Sequence, residues 1–251
     1  MSTATTQRRS RRTSKASAPK PRSPMLPLTI AAIAIGAVIV GVLLVTSGVL
    51  DRSRTRELVL PELSRPIALV EDRAVGAPDA PITIEVWEDF QCPACGMFAR
   101  STEPRLLEEY VGTGKVRLVY RDMAFLGQES IDAAVAARAA QQLLGGDAFW
   151  RYHDLLFHNQ DGENEGAFDR TVLADMAVSL GIDRDAFLAA LDDPALIDAV
   201  GAETRAGAQA GVSSTPTLVI DGMPHAGAPP YSALAEYLDE QLASITPAAG
   251  G

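Results

Sequence analysis

Cysteine is nearly absent: 251 residues contain two, Cys92 and Cys95. A framework of structural disulfides is excluded, and a bridge across only two intervening residues closes too small a loop to stabilise a fold by much. Histidine is almost as scarce. Structural zinc commonly uses a second cysteine pair or two closely spaced histidines, whereas His153 and His158 fall five apart on an expected helix and His225 is distant. No metal is therefore expected. Positive charge is also short, with 22 Lys and Arg against 32 Asp and Glu. Seven of those bases (Arg8, Arg9, Arg11, Arg12, Lys15, Lys20, Arg22) stand in an acid-free N-terminal stretch, so the rest of the chain carries a formal net charge near −17. Nucleic acids and other polyanions are excluded as partners. No internal repeat is present.

The one long hydrophobic run is near the start. Ser23 to Leu50 has no charge and Leu28 to Val45 is almost wholly apolar, enough to cross about 30 Å of hydrocarbon as a helix. It also exceeds the roughly 7 to 15 apolar residues of a cleavable signal. The expectation is a basic cytoplasmic tail at 1–24, one transmembrane anchor at 25–50, and everything beyond it outside a bacterial cell membrane. A linker containing Pro61 and Pro66 comes next at 51–69, then one domain at 70–245 and a disordered tail at 246–251.

The two cysteines sit where chemistry is expected. Ile82-Thr83-Ile84-Glu85-Val86-Trp87 is β-branched, apolar and aromatic after the turn-like Gly76-Ala77-Pro78-Asp79-Ala80-Pro81, and reads as a strand. Pro93 suits the first position of a helix, which continues with Met97, Phe98, Leu106 and Leu107 as its apolar face and a kink at Pro104. Cys92 thus stands at a helix N-terminus, where unpaired N–H groups favour thiolate over thiol. Cys95, one turn on, is the resolving thiol. In the oxidised pair a substrate thiolate attacks Cys92, Cys95 leaves, and a second substrate thiol releases the product. No cofactor is needed.

A second segment, Gly211-Val212-Ser213-Ser214-Thr215-Pro216-Thr217-Leu218-Val219-Ile220-Asp221-Gly222, reads as a loop, a proline, a short strand and an Asp-Gly hairpin turn. Together with Asp89-Phe90-Gln91-Cys92-Pro93-Ala94-Cys95 and the helical Phe149-Trp150-Arg151-Tyr152-His153-Asp154-Leu155-Leu156-Phe157, it makes the chain resemble the DsbA-like branch of the thioredoxin superfamily from about Val70 to Ala243. The resemblance implies an α/β thioredoxin fold with an inserted helical subdomain at about 128–210. It also implies a cis-proline at Pro216 facing the cysteines, with Thr215 offering its backbone to a substrate peptide. Ser214 stands where the family often has glycine. Relatives frequently carry a proton-shuttling acid three residues before the first cysteine, which is Asp89, although Glu85 and Glu88 are also near.

Between the two signatures, apolar residues recur at helical spacing in 131–138 and 171–177. Gly145-Gly146, Gly162 and Gly181 mark helix ends or loops, and Asp183 and Asp193-Pro194 mark new starts. Four or five helices result. Phe149, Trp150, Tyr152 and Phe157 are expected in the core, not in a substrate groove, and Asp161–Glu165 as a solvated loop, not a cation site. The functional expectation is an extracytoplasmic thiol-disulfide oxidoreductase that introduces disulfides into exported proteins. The resemblance implies a DsbB- or VKOR-type quinone-linked membrane partner to reoxidise it. The alternatives are a reductase or isomerase of the same fold, or a tethered binding or chaperone module whose cysteine pair is vestigial.

Overall fold

A computed structural model describes residues 35, 36, 38, 39, 57–61 and 69–245. The chain divides into two units, 1–55 and 56–251. In the first unit the four described residues are helical. The basic tail, most of the expected anchor and linker, and the tail at 246–251 lie outside the described residues. Among the described residues no helix is long and apolar enough to cross a membrane.

The second unit is built on a six-stranded sheet of order β1-β2-β4-β3-β5-β6. Its strands are β1 (Val70–Glu71), β2 (Ala74–Val75), β3 (Ile82–Glu88), β4 (Val116–Asp122), β5 (Thr217–Ile220) and β6 (Met223–Ala226). β3 and β4 are parallel and central, with Ile84 opposite Leu118 and Glu88 opposite Asp122. β5 runs antiparallel to β3, which sets Thr217 opposite Trp87. A parallel pair needs a crossover, and a helical rod supplies it. Alternation along β3 turns Ile82, Ile84 and Val86 to a fully buried face, and Val116, Leu118 and Tyr120 of β4 continue it. The β5–β6 turn is the two-residue Asp221-Gly222, both at positive φ, the backbone that joins right-twisted strands without splaying them.

The rod changes winding along its length. It begins as α1 (Pro93–Met97), passes into a π turn at Phe98–Thr102, returns to α2 (Glu103–Leu106) and ends in a second π turn at Leu107–Val111. Pro104 has no N–H for the Arg100 carbonyl, and the N–H of Glu103 reaches back five residues to Phe98 O. The kink expected at Pro104 thus takes the form of a π turn just before it. Each such turn rotates the residues beyond it by about 100° relative to a continuous α-helix. Phe98, Leu106 and Leu107 are buried, but Met97, expected on the same face, is 58% exposed.

Five helices separate β4 from β5: α3 (Gln128–Leu144), α4 (Gly146–His158), α5 (Arg170–Ser179), α6 (Arg184–Ala190) and α7 (Pro194–Gln209). Asp183 caps α6 by accepting from Ala186 N, and Asp193 caps α7 by accepting from Ala195 N, both at 2.9 Å. The buried face of α3 is mostly alanine, which lets neighbouring helices approach closely. Phe149, Trp150, Tyr152 and Phe157 of α4 are core residues, and Asp161–Glu165 is a largely exposed turn. The other face of β3 meets α7, where a Cβ on Gly207 would come within 2.5 Å of Trp87 Cζ3. α8 (Tyr231–Ile245) closes the chain's described part.

Candidate active site

β3 ends at Glu88, and the next four residues turn the chain into α1 with Cys92 as its N-cap and Pro93 in its first turn. The turn is tied down on every side. Asp89 O accepts from Cys92 N at 2.9 Å, and the Asp89 carboxylate accepts from the backbone N–H groups of Gln91 (2.9 Å), Phe125 (2.9 Å) and Leu126 (3.1 Å). Gln91 donates to Ser130 Oγ at 2.8 Å and accepts from Asn164 N at 2.6 Å. From the end of α4, Gln160 donates to Phe90 O at 2.6 Å and Cys92 O at 3.0 Å. A Cβ on Gly96 would collide with Gln160 Oε1, so a larger residue there would displace that side chain from its two carbonyls. These glutamine clamps were not foreseen. They join residues some 40 to 70 apart, and no local pattern marks them.

Both cysteines are free thiols, Cys92 at the margin of solvent with 7% exposure and Cys95 fully enclosed. Cys92 Sγ donates to Thr215 O at 3.3 Å, and the Thr215–Pro216 bond beside it is cis. The fold therefore brings Cys92, Cys95, Thr215 and Pro216 together from two distant segments. Their environments split the two thiols. Cys92 is brought down to about 6, chiefly by a hydrogen bond from Cys95; burial opposes this, while the Thr215 side chain and the N–H groups of Cys95 and Ala94 assist. Cys95 is pushed well above the ordinary thiol range, mainly by burial and then by its bond to Cys92 and the nearby charge of Glu88. The pair is built to hold one thiolate, outward, and one thiol, inward.

The three candidate acids divide by environment. Asp89 is buried at 1% exposure and its carboxylate is committed to three backbone donors, so it organises the loop. Glu88 instead shares the buried face of β3 with Ile84 and Val86, and it is the acid whose charge reaches both cysteines. Burial raises it to about 7, with His153 pulling the other way. Glu85 is on the opposite face, paired with Arg121 at 2.5 Å. Beneath the cysteines Glu88 meets His153 and Glu103, all fully buried, with one ligand-type atom of each within 4.8 Å of the others. Neither His153 nor Glu103 was expected here. A signal did exist: each occupies a core position by periodicity, His153 between Phe149 and Phe157 and Glu103 between Ala99 and Leu106.

Comparisons with known proteins agree with this fold. A family model described as thioredoxin matches residues 69–240. A "probable disulfide bond formation protein D" from Bacillus cereus is 26% identical over 172 residues, covering 68% of this chain and 78% of that one. The crystal structure of oxidised BdbD from Bacillus subtilis superposes with a TM-score of 0.64 at 25% identity, covering 68% of this chain and 93% of that one. A Na(+)/H(+) antiporter, NhaA 3 of Salinispora tropica, is 32% identical over 171 residues, 68% of this chain but 24% of the antiporter.

Proposed function

The chain belongs to the thioredoxin family, and from that premise we propose that it is an extracytoplasmic thiol-disulfide oxidoreductase that forms disulfide bonds in exported proteins. The observation that carries this reading is the split between the thiols: Cys92 ionises near 6 at the protein margin while Cys95 is held far above it inside. A thiolate of low pKa is a good leaving group and a stable product, so the reduced form is favoured and the disulfide is a strong oxidant.

Cys92 is the attacked sulfur. A substrate thiolate bonds to it, the Cys92–Cys95 bond breaks, and the electron pair leaves on Cys95. Glu88, one of the three acids near the motif, gives that buried thiolate a proton, the role that the family resemblance suggests for Asp89. A second substrate thiolate then attacks the substrate sulfur of the mixed disulfide, releasing oxidised substrate and the Cys92 thiolate. Thr215 and Pro216 line the entrance, and the Thr215 backbone receives the substrate strand once Cys92 no longer occupies its carbonyl. The dithiol is returned to the disulfide by a DsbB- or VKOR-type quinone-linked membrane partner. A single helix at 25–50 holds the enzyme on the outer face of a bacterial cell membrane.

The test is the reduction potential of the Cys92/Cys95 couple, titrated in glutathione buffers, together with disulfide formation in a reduced substrate protein. A potential near about −120 mV with catalysed formation supports the reading. A value near about −270 mV makes the enzyme a reductase, and the lack of any reversible two-electron transition returns the cysteine pair to a vestige.

A further inference from the structure

The acid that serves Cys95 has no direct opening to water, since Glu88 and Cys95 are both enclosed. Each turnover nevertheless moves a proton onto Cys95 and, on reoxidation, off it. Glu88 must exchange protons with something.

His153 is the neighbour that reaches outward. Its Nε2 lies 3.6 Å from Glu88 Oε2 and 3.9 Å from Glu103 Oε2, while its Nδ1 lies 3.0 Å from Asp154 Oδ1. The His153, Glu88 and Glu103 side chains are 0% exposed, but that of Asp154 is 12% exposed and so meets solvent. Carboxylates thus face both ring nitrogens, a setting that suits an imidazole able to donate from either one. The rings of Phe90, Tyr120, Trp150 and Phe157 pack around it at 4.8 to 5.8 Å between centroids, and keep bulk water from short-circuiting the line. The Tyr120 hydroxyl is itself titratable, but burial pushes it well above its ordinary value, so it does not compete. From α2, the Glu103 carboxylate flanks the same Nε2.

We propose that His153 and Asp154 form a proton path between solvent and Glu88, so that the buried thiol of Cys95 is loaded and unloaded from the side of the fold that Asp154 reaches, not through the Cys92 opening. The inference rests on the reading of Glu88 as the proton partner of Cys95. On reduction of the disulfide, Cys95 leaves as thiolate and takes a proton from Glu88. The Glu88 carboxylate takes the Nε2 proton of His153, and Nδ1 recovers one through Asp154 from water. Reoxidation runs the path backwards and frees the Cys95 thiolate to attack Cys92. Protons and electrons balance without any other reactant. His153 and Asp154 act through Glu88, as positioning residues for its proton.

The experiment uses the full chain in detergent, reduced and then mixed with glutathione disulfide. Cys92 forms a mixed disulfide with glutathione first, and Cys95 then displaces the glutathione; acid quench and mass measurement separate the two steps. His153→Gln should slow the Cys95 step at least tenfold at pH 7, and Asp154→Asn several-fold. The rate of the Cys92 step should change less than twofold, and so should the acid dissociation constant of the Cys92 thiol. In the variants the Cys95 rate should climb steeply with pH, where the wild type is flatter, because direct ionisation of Cys95 then replaces the path. Asp154 is partly exposed while His153 is fully buried, so the Asp154→Asn variant carries the test if His153→Gln does not fold. Wild-type Cys95 rates and pH profile in Asp154→Asn, or in a folded His153→Gln, overturn the proposal. So does a stoichiometric divalent metal in the isolated protein that is lost in His153→Gln, since the same donors would then be ligands. A wild type that forms no mixed disulfide at all is a different failure, that of the oxidoreductase reading.

Discussion

Replacing Cys95 by alanine tests the origin of the reactive thiolate. The hydrogen bond from Cys95 is the largest influence holding Cys92 near 6, while burial pushes the other way. Alanine removes the sulfur donor and leaves the burial. It also leaves the backbone N–H of residue 95, that of Ala94 and the Thr215 contact, each of which still assists. The Cys92 pKa should therefore rise substantially but stop short of an ordinary thiol. At pH 6.5 a group that ionises at 6 is about three-quarters thiolate, and one that ionises at 8 is about 3% thiolate. Thiolate absorbance near 240 nm, followed against pH, reads that change directly. An alkylation rate would hide much of it, because nucleophilicity rises with thiol pKa with a Brønsted slope of about 0.4 to 0.5. Cys95→Ser, whose hydroxyl still donates, should shift Cys92 less. Because the folded pKa is depressed, ionisation of Cys92 stabilises the reduced fold fully above about pH 9, partly between 9 and 6, and not below 6. Titration of Cys95→Ala at the wild-type value would refute the reasoning, and so would a wild-type midpoint near 9.

Three other substitutions probe the surroundings. Burial raises Glu88 to about 7, so its contribution to stability is present below about pH 4.5 and is lost as pH rises through 7; Glu88→Gln should gain on wild type between those values. The gain should be on the order of 2–3 kcal/mol, and urea unfolding at pH 4 and pH 8 measures it, an unchanged gap counting against the buried charge. Asp89→Asn leaves one oxygen for three backbone donors and should cost about 1–3 kcal/mol without altering the pH profile of the Cys95 step. An altered profile in a stable variant would return the proton role to Asp89. Gly207→Ala drives a Cβ to within 2.5 Å of Trp87 and should cost about 1–3 kcal/mol in urea unfolding; no cost would mean that α7 shifts freely off β3.

The features legible in the sequence are local. The strand before the motif, Cys92 and Pro93 at a helix start, the Asp221-Gly222 turn, and the aspartates capping α6 and α7 each depend on residues within a few positions, whose backbone preferences carry most of the outcome. The pairing of the Cys-X-X-Cys loop with the Thr215-Pro216 loop is not local. It is legible only because both segments match a known family, not because anything in either segment specifies the other.

The misreading of Met97 has a physical cause, which is that side-chain direction depends on winding. Uniform helical spacing puts Met97 on the apolar face, but the rod does not keep one period: it alternates α and π turns around Pro104. Asp89 is singled out by the family's spacing to the cysteine, whereas strand alternation sets Glu88 on the face of Ile84 and Val86. An acid at a core position is costly unless its charge is compensated or its proton retained. Glu88, Glu103 and His153 each break the apolar pattern of a different element, and a chain bears three such costs most readily where they offset one another. Three violations on three elements thus point to one buried meeting place. Periodicity identifies the violations, but only the packed fold shows that they converge beneath Cys95, where a proton has to come and go.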